Sequence, residues 1–140
     1  LLEIQVNDQK IPAIFDLGAG VNVLNWAAAS SLSPKPVRSR DDKVLFGAIE
    51  SASIVADLRV EEVITERVSW RNEQFIVAEL EVFETLMRAD TPSALLGAEL
   101  FNQRDFIIDF NGSRLLVKFA MDEVDVSADK VVDKQTDNNQ

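Results

Sequence analysis

Residues 13–21 constrain the fold more than any other stretch of this 140-residue chain. Apolar residues lead into a single acid, Asp16, and two glycines, Gly18 and Gly20, follow it within four positions. A strand that ends on an acid and turns on glycines places the carboxylate at a loop tip, because glycine accepts a positive φ without strain. The sequence therefore predicts a loop-tip carboxylate between two strands, with the turn made by glycines of positive φ.

The absence of two residue types limits the catalytic and metal-binding chemistry that this chain can use. The chain has no Cys, which excludes a disulfide framework and a thiolate metal site, and no His, which excludes Ser-His or Cys-His nucleophilic catalysis. Hydrolysis by this chain must therefore use carboxylates, Lys or a metal held on oxygen alone. Acidic pairs occur at Asp41-Asp42, Glu61-Glu62 and Asp105/Asp109. None has the spacing of an EF-hand, so we interpret them as solvated faces and predict no metal and no cofactor.

Size and charge limit the class of protein and its partners. The length, with 46% hydrophobic and 27% charged residues, is typical of one soluble globular domain. A net charge of −10 argues against a nucleic-acid partner. No apolar run approaches the roughly 18 residues that span a bilayer, so we expect no membrane contact by this segment. Because the chain begins with Leu1, we expect a fragment or a processed product, and the compartment stays open.

Local patterns in the first third predict three strands and a helix. Residues 1–15 alternate apolar and polar around Asn7-Asp8, which indicates a hairpin with Pro12 at an edge or a bulge. Residues 21–24 are predicted to form a short strand. Asn25 then caps a helix that runs to about Leu32 and is ended by prolines.

The middle and end of the chain are dominated by further strand patterns. Residues 44–46 and 54–60 flank a small-residue segment and predict a hairpin with a Gly-containing tip. Strands follow around residues 63–70 and 74–78, whereas residues 79–88 are either a short helix or an irregular loop. Asn111-Gly112, the strongest short hairpin signal, lies between the apolar segments 105–110 and 113–119.

The last twenty residues have a different composition. Residues 121–140 hold six acids against two lysines, a net charge of −4. We predict a domain over residues 1–120 and an acidic, flexible tail over 121–140. Four valines in the tail leave a docked strand as the alternative.

Taken in order, these features resemble the retropepsin-like aspartic proteases, whose signature is a hydrophobic strand followed by Asp-Thr/Ser-Gly-Ala. This chain reads Asp16-Leu17-Gly18-Ala19. Leu95-Leu96-Gly97 before a helical turn is the second mark of the family, and the closing hairpin is the third. The resemblance spans roughly residues 2–119 and implies a mostly β fold, a closed retropepsin-like (acid protease) β-barrel with one or two short helices.

The resemblance implies an aspartic endopeptidase in which paired carboxylates activate a water. Because one chain supplies only one motif, Asp16 would meet its copy across the twofold axis of a homodimer. Leu17, Gly18 and Ala19 would form the active-site loop. The hairpin over residues 46–53 would be the flap over an extended peptide substrate, which it would contact through the four residues Phe46, Gly47, Ala48 and Ile49.

Leu17 departs from the family pattern. The usual Thr or Ser hydroxyl bonds across the dimer and holds the two Asp loops rigid, whereas Leu neither donates nor accepts. Two leucines at the axis would instead pack apolar against apolar. Two alternatives therefore stay open. One is a catalytically silent domain of this fold that serves as a dimerisation or peptide-binding module. The other is an unrelated small β-barrel in which Asp16 is only a turn residue.

Overall fold

The structure is a computed structural model that describes residues 1–39, 43–46, 51–66, 68–87, 90–102, 104–112 and 114–118. These residues form mainly β-structure, as predicted. In chain order the elements are β1 (Leu2–Val6), β2 (Gln9–Phe15), β3 (Asn22–Leu24), α1 (Trp26–Ser31), β4 (Val44–Phe46), β5 (Ser51–Ile64), β6 (Ser69–Ala78), α2 (Glu81–Leu86), β7 (Ala94–Leu96), a 3₁₀ helix (Ala98–Phe101), β8 (Phe106–Asp109) and β9 (Arg114–Val117).

Six strands close into a barrel. Their order is β1-β2-β7-β3-β6-β5, and β5 returns to β1 through the pairs Gln5↔Ile64 and Val6↔Val63. Two of the pairings, β2 with β7 and β3 with β6, are parallel. β4 extends the sheet beyond β5. The predicted closed β-barrel is confirmed.

The first hairpin forms as predicted. β1 and β2 pair antiparallel from Leu2↔Ala13 to Val6↔Gln9, and alternate side chains such as Ile4 are buried. Pro12 is not on an edge strand, because β2 lies between β1 and β7. Pairing with β7 begins only at Ala13, so the missing N–H of Pro12 interrupts no bond on that side.

The two α-helices are short, with six residues each. The Asn25 side chain accepts a hydrogen bond from the Ala28 N–H at 2.9 Å, so the predicted N-cap of α1 is confirmed. Between the two interpretations of residues 79–88, the structure has a helix, α2. Its inner face buries Phe83.

β5 and β6 form one long hairpin. They are 14 and 10 residues long, and their pairs run from Ile54↔Ala78 to Ile64↔Ser69 with one register shift. β4 pairs with the first residues of β5, ending at Phe46↔Ser51, so the two strands of the predicted flap hairpin are present. Gly47, Ala48 and Ile49 lie outside the described residues.

β8 and β9 form a separate two-stranded sheet. Phe106, Leu115 and Val117 pack against the barrel core. The predicted closing hairpin is confirmed, but its loop has four residues between Asp109 and Arg114 rather than a two-residue turn. Neither Asn111 nor Gly112 has a positive φ, which a type I′ turn would require.

No helix in the described ranges is long and apolar enough to cross a membrane. The predicted tail, residues 121–140, lies outside those ranges.

Candidate active site

Asp16 lies directly after β2, in a turn at the surface. Its Oδ1 accepts a hydrogen bond from the Gly18 N–H at 2.8 Å, and its carbonyl accepts one from the Ala19 N–H at 3.2 Å. The Asp16 N–H donates to the Leu96 carbonyl at 3.0 Å. These bonds fix the backbone and one carboxylate oxygen. The side chain is exposed, as the loop-tip prediction requires.

The role predicted for the glycines is wrong. None of the described glycines has a positive φ. The described residues that do are Asn7, Asn72 and Asp90, all outside this turn. At Gly18 the space is tight, because a Cβ there would lie 3.2 Å from Asp16 Oδ1 and the carboxylate would have to move by a few tenths of an ångström.

The Leu95-Leu96-Gly97 segment supports the Asp16 turn from behind. Phe15 pairs with Leu96 in the parallel β2–β7 ladder, and the Ala98 N–H donates to the Ala19 carbonyl at 2.8 Å. A Cβ on Gly97 would lie 2.3 Å from the Val21 carbonyl oxygen. The two motifs therefore meet backbone to backbone, and only glycine fits at the contact.

The Asn22 side chain connects Gly97 to strand β6. It is 1% exposed, its Oδ1 accepts from the Gly97 N–H at 3.0 Å, and its Nδ2 donates to the Gln74 carbonyl at 3.3 Å. This residue was not among the site residues predicted from the sequence. The available signal was a polar residue within the apolar run 21–24, because a buried amide must find partners.

The aromatic residues next to the turn pack edge to face. The Phe15 ring lies 4.9 Å from Phe101 and 6.2 Å from Phe106, and Trp70 contacts Phe101 at 5.5 Å. Such contacts favour fixed ring positions. The end of β2 that carries Asp16 is thus anchored in the core.

The structure brings four of the predicted site residues, Asp16 to Ala19, into one turn. Leu17 is 44% exposed beside the carboxylate. The predicted flap residue Phe46 ends β4, and the other three lie outside the described residues. Within the described part of the chain, the Asp16 carboxylate makes no ion pair, and no group of three or more acidic residues is placed to hold a metal.

A cleft of about 710 Å³ lies elsewhere, between the start of β6 and the 3₁₀ helix. Trp70, Glu73, Glu99 and Arg104 are among its lining residues, and Asp16 is not. Burial raises the pKa of Glu73, and the nearby Glu99 carboxylate raises it further. This cleft is therefore distinct from the Asp16 turn.

Comparison with known proteins identifies one family and several solved structures of similar fold. Residues 2–100 match the aspartyl protease family. No curated protein matches the chain significantly. The fold is similar to a retropepsin-like aspartic protease from Rickettsia conorii, with 22% identity, a TM-score of 0.52, and 83% of this chain and 78% of that chain covered.

It is also similar to the retroviral protease-like domain of Ddi1 from Leishmania major. The identity is 14%, the TM-score is 0.59, and the match covers 84% of this chain and 86% of that chain. At these identities the two structures show the retropepsin-like fold alone. The family match covers more than half of the chain and includes both the Asp16 turn and Gly97. The chain therefore belongs to the aspartyl protease family.

Proposed function

We propose that this protein is an aspartic endopeptidase that works as a homodimer, with Asp16 as the catalytic acid and base of each subunit. The observation that carries the proposal is the Asp16 turn itself. An exposed carboxylate projects from a backbone that is hydrogen-bonded to the Leu96 segment and anchored in the core through Phe15. A residue that serves only as a turn needs no such second support.

The chemistry requires two carboxylates that share one proton. Like charges about 3 Å apart cannot both ionise, so one acid stays neutral and the other stays charged. The charged carboxylate takes a proton from a water, whose oxygen attacks the peptide carbonyl carbon. The neutral acid donates its proton to the carbonyl oxygen, which gives a tetrahedral diol. The C–N bond then breaks as the carboxyl group that took the water proton donates it to the leaving nitrogen, while the other carboxylate takes a proton from the diol. The two protonation steps belong to the pair, not to either residue.

Each chain supplies one Asp-x-Gly-Ala motif, so the second carboxylate comes from a second copy related by a twofold axis. Exposed apolar residues at the turn and on the closing hairpin favour such a contact. Leu17 is 44% exposed, and Ile107 and Leu116, which pair across β8 and β9, are 66% and 49% exposed. This pair lies on the face of the hairpin opposite to Phe106, whose ring packs against Phe15.

The substrate is an extended peptide that lies across the dimer beneath the flaps. The paired strands β4 and β5 support this part of the proposal, since an antiparallel hairpin can bond to an extended peptide through its main chain. We assign Phe46, Gly47, Ala48 and Ile49 to substrate binding.

The test replaces the carboxylate with its nearly isosteric amide. Asp16→Asn should reduce peptide cleavage to background while leaving the fold and melting temperature close to those of the parent, because Asn Oδ1 can still accept from the Gly18 N–H. Asp8→Asn, the same charge change at another exposed turn, is the matched control and should keep full activity.

A statine-type transition-state mimic should inhibit the parent protein. Cleavage that persists in pure Asp16→Asn protein would contradict the proposal.

A second candidate is a catalytically silent dimerisation or peptide-binding module. Leu17 favours it, because the family's hydroxyl is absent. Under this alternative, peptides bind at the Asp16 face but are not cleaved at any pH. Isothermal titration with an uncleaved peptide, beside the cleavage assay, distinguishes the two functions.

A further inference from the structure

We infer that Asn22 is a positioning residue that holds the Asp16 turn in place through Gly97. The inference rests on the proposed function, since it takes Asp16 as the catalytic group. Asn22 does not itself contact the Asp16 carboxylate. It acts on the backbone that carries the carboxylate, and it does so from inside the barrel wall.

The Asn22 amide satisfies two opposite backbone groups at once. Its Oδ1 accepts from the Gly97 N–H at 3.0 Å, and its Nδ2 donates to the Gln74 carbonyl at 3.3 Å. Reversing the amide would place N–H against N–H and oxygen against oxygen. With 1% of the residue exposed, water cannot replace either bond. The orientation of Asn22 is therefore fixed, and with it the separation of Gly97 from β6.

The flanking residues of Gly97 carry both ends of the Asp16 turn. The Leu96 carbonyl before it accepts from the Asp16 N–H at 3.0 Å, and the Ala98 N–H after it donates to the Ala19 carbonyl at 2.8 Å. A shift of Gly97 thus moves both supports together. The connection runs from Gln74 through Asn22 to Gly97, and from there to the two ends of the turn.

Asn25 is a matched comparison within the same chain. It is also a buried asparagine, 4% exposed, that accepts from two backbone N–H groups and donates to one carbonyl. Its partners are Ala28, Ser93 and Thr91, so its bonds reach the helix cap and the residue before β7 but not Gly97. Loss of the Asn25 donor should therefore lower the stability of the fold, while the backbone hydrogen bonds that support the Asp16 turn remain.

The experiment compares Asn22→Asp with Asn25→Asp. Each substitution is isosteric, keeps the accepting oxygen, removes the donor and buries a charge. At neutral pH both should lower the melting temperature. At a temperature where both are fully folded, only Asn22→Asp should lower kcat, by about tenfold or more, with KM changed less than about twofold, because misplaced catalytic groups slow chemistry more than binding.

Protonation of the introduced carboxyl group should restore kcat of the Asn22→Asp variant. A neutral carboxyl group accepts through its carbonyl oxygen and donates through its O–H, which reproduces both bonds of the amide. Measured as a ratio to the parent protein at each pH, kcat of Asn22→Asp should rise towards unity as the pH falls. A merely structural role predicts no such recovery in kcat of the folded protein.

Amide hydrogen exchange gives a readout that does not depend on catalysis. The Asp16 and Ala98 N–H groups should exchange about tenfold faster in Asn22→Asp than in Asn25→Asp. If the parent protein does not cleave peptides, the proposed function fails and this comparison alone decides the inference. Equal exchange, or an equal loss of kcat in the two variants, would overturn it. If Asn22→Asp does not fold, Asn22→Ser and Asn25→Ser, which bury no charge, are compared in the same way.

Discussion

At Gly97, the absence of a side chain decides whether the Asp16 turn can form. We predict that Gly97→Ala lowers the free energy of unfolding by about 2–4 kcal/mol, because its Cβ would lie 2.3 Å and 2.7 Å from the carbonyl oxygens of Val21 and Ala19. Urea unfolding measures the change. Gly20→Ala is the control: no atom lies within 4 Å of its Cβ and its φ is not positive, so its effect should stay within about 0.5 kcal/mol. Equal losses would mean that the close approach at Gly97 is not what excludes a side chain.

A second prediction about a single residue concerns Leu17. If a hydroxyl at this position holds paired Asp loops, Leu17→Thr should raise peptidase activity several-fold and change dimer affinity less, since a net hydrogen bond contributes about 0.5–1.5 kcal/mol. The dimer dissociation constant and the cleavage rate are measured on one sample. A weaker dimer without a faster rate would instead favour an apolar seam at Leu17 and the silent module.

The roles of some single residues were predictable from the sequence, and the roles of others were not. The loop-tip position of Asp16 and the cap at Asn25 follow from local chemistry, and the structure has both. The positive φ predicted for Gly18 and Gly20 was wrong, and the glycine that must lack a side chain is Gly97, whose close neighbour Val21 is distant along the chain. Asn22 was missed because its two partners, Gln74 and Gly97, are also distant along the chain.

Among the elements, the β8–β9 hairpin is held at its loop by one carboxylate. Asp109 accepts from the Gly112 N–H at 2.9 Å and from Arg114 Nη2 at 2.6 Å, and these bonds lower the pKa of Asp109. An acid with a lowered folded pKa stabilises the folded state above about pH 4, and that contribution is lost as the pH falls through the folded pKa.

We therefore predict that Arg114→Met raises the pKa of Asp109 towards its ordinary value, but not fully, because the Gly112 bond remains. An NMR titration of the carboxyl carbon measures the shift. Lys118→Met, which removes the partner of Asp105 on the same hairpin, is the control and should leave the Asp109 titration unchanged. No shift in the Arg114→Met protein would contradict the pairing.

Three hairpins formed by neighbouring segments were predictable. The β5–β6 hairpin was not, because its turn falls within the strand predicted around residues 63–70, and neither were the long-range pairings. Alternation and turn residues predicted the β1–β2, β4–β5 and β8–β9 hairpins. The parallel ladders β2–β7 and β3–β6 join distant strands, which no local pattern specifies. The closed barrel that contains them was predicted only from the resemblance to a family. The four-residue loop after Asp109 also differs from the turn that Asn111-Gly112 favours, because the Asp109 side chain satisfies the loop backbone instead.

At the level of the whole molecule, the proposed peptidase activity requires a dimer of two chains. We predict that specific activity falls on dilution in parallel with the dimer fraction seen by light scattering, because each site needs both copies of Asp16. Mixing the parent protein with excess Asp16→Asn protein should inhibit it through mixed dimers that carry one carboxylate. Specific activity that is constant down to concentrations at which the protein is monomeric would contradict the dimeric site.

The hydrogen bond from the Asp16 N–H to the Leu96 carbonyl also has a consequence for folding. It joins two residues separated by more than half of the chain, and so does the parallel ladder beside it. Such high contact order slows folding, because a long loop must close before its contacts form. During synthesis the Asp16 segment emerges before residues 94–98, and its turn cannot form until they follow. Under the proposed function, a nascent chain would therefore have no peptidase activity before its own barrel is complete.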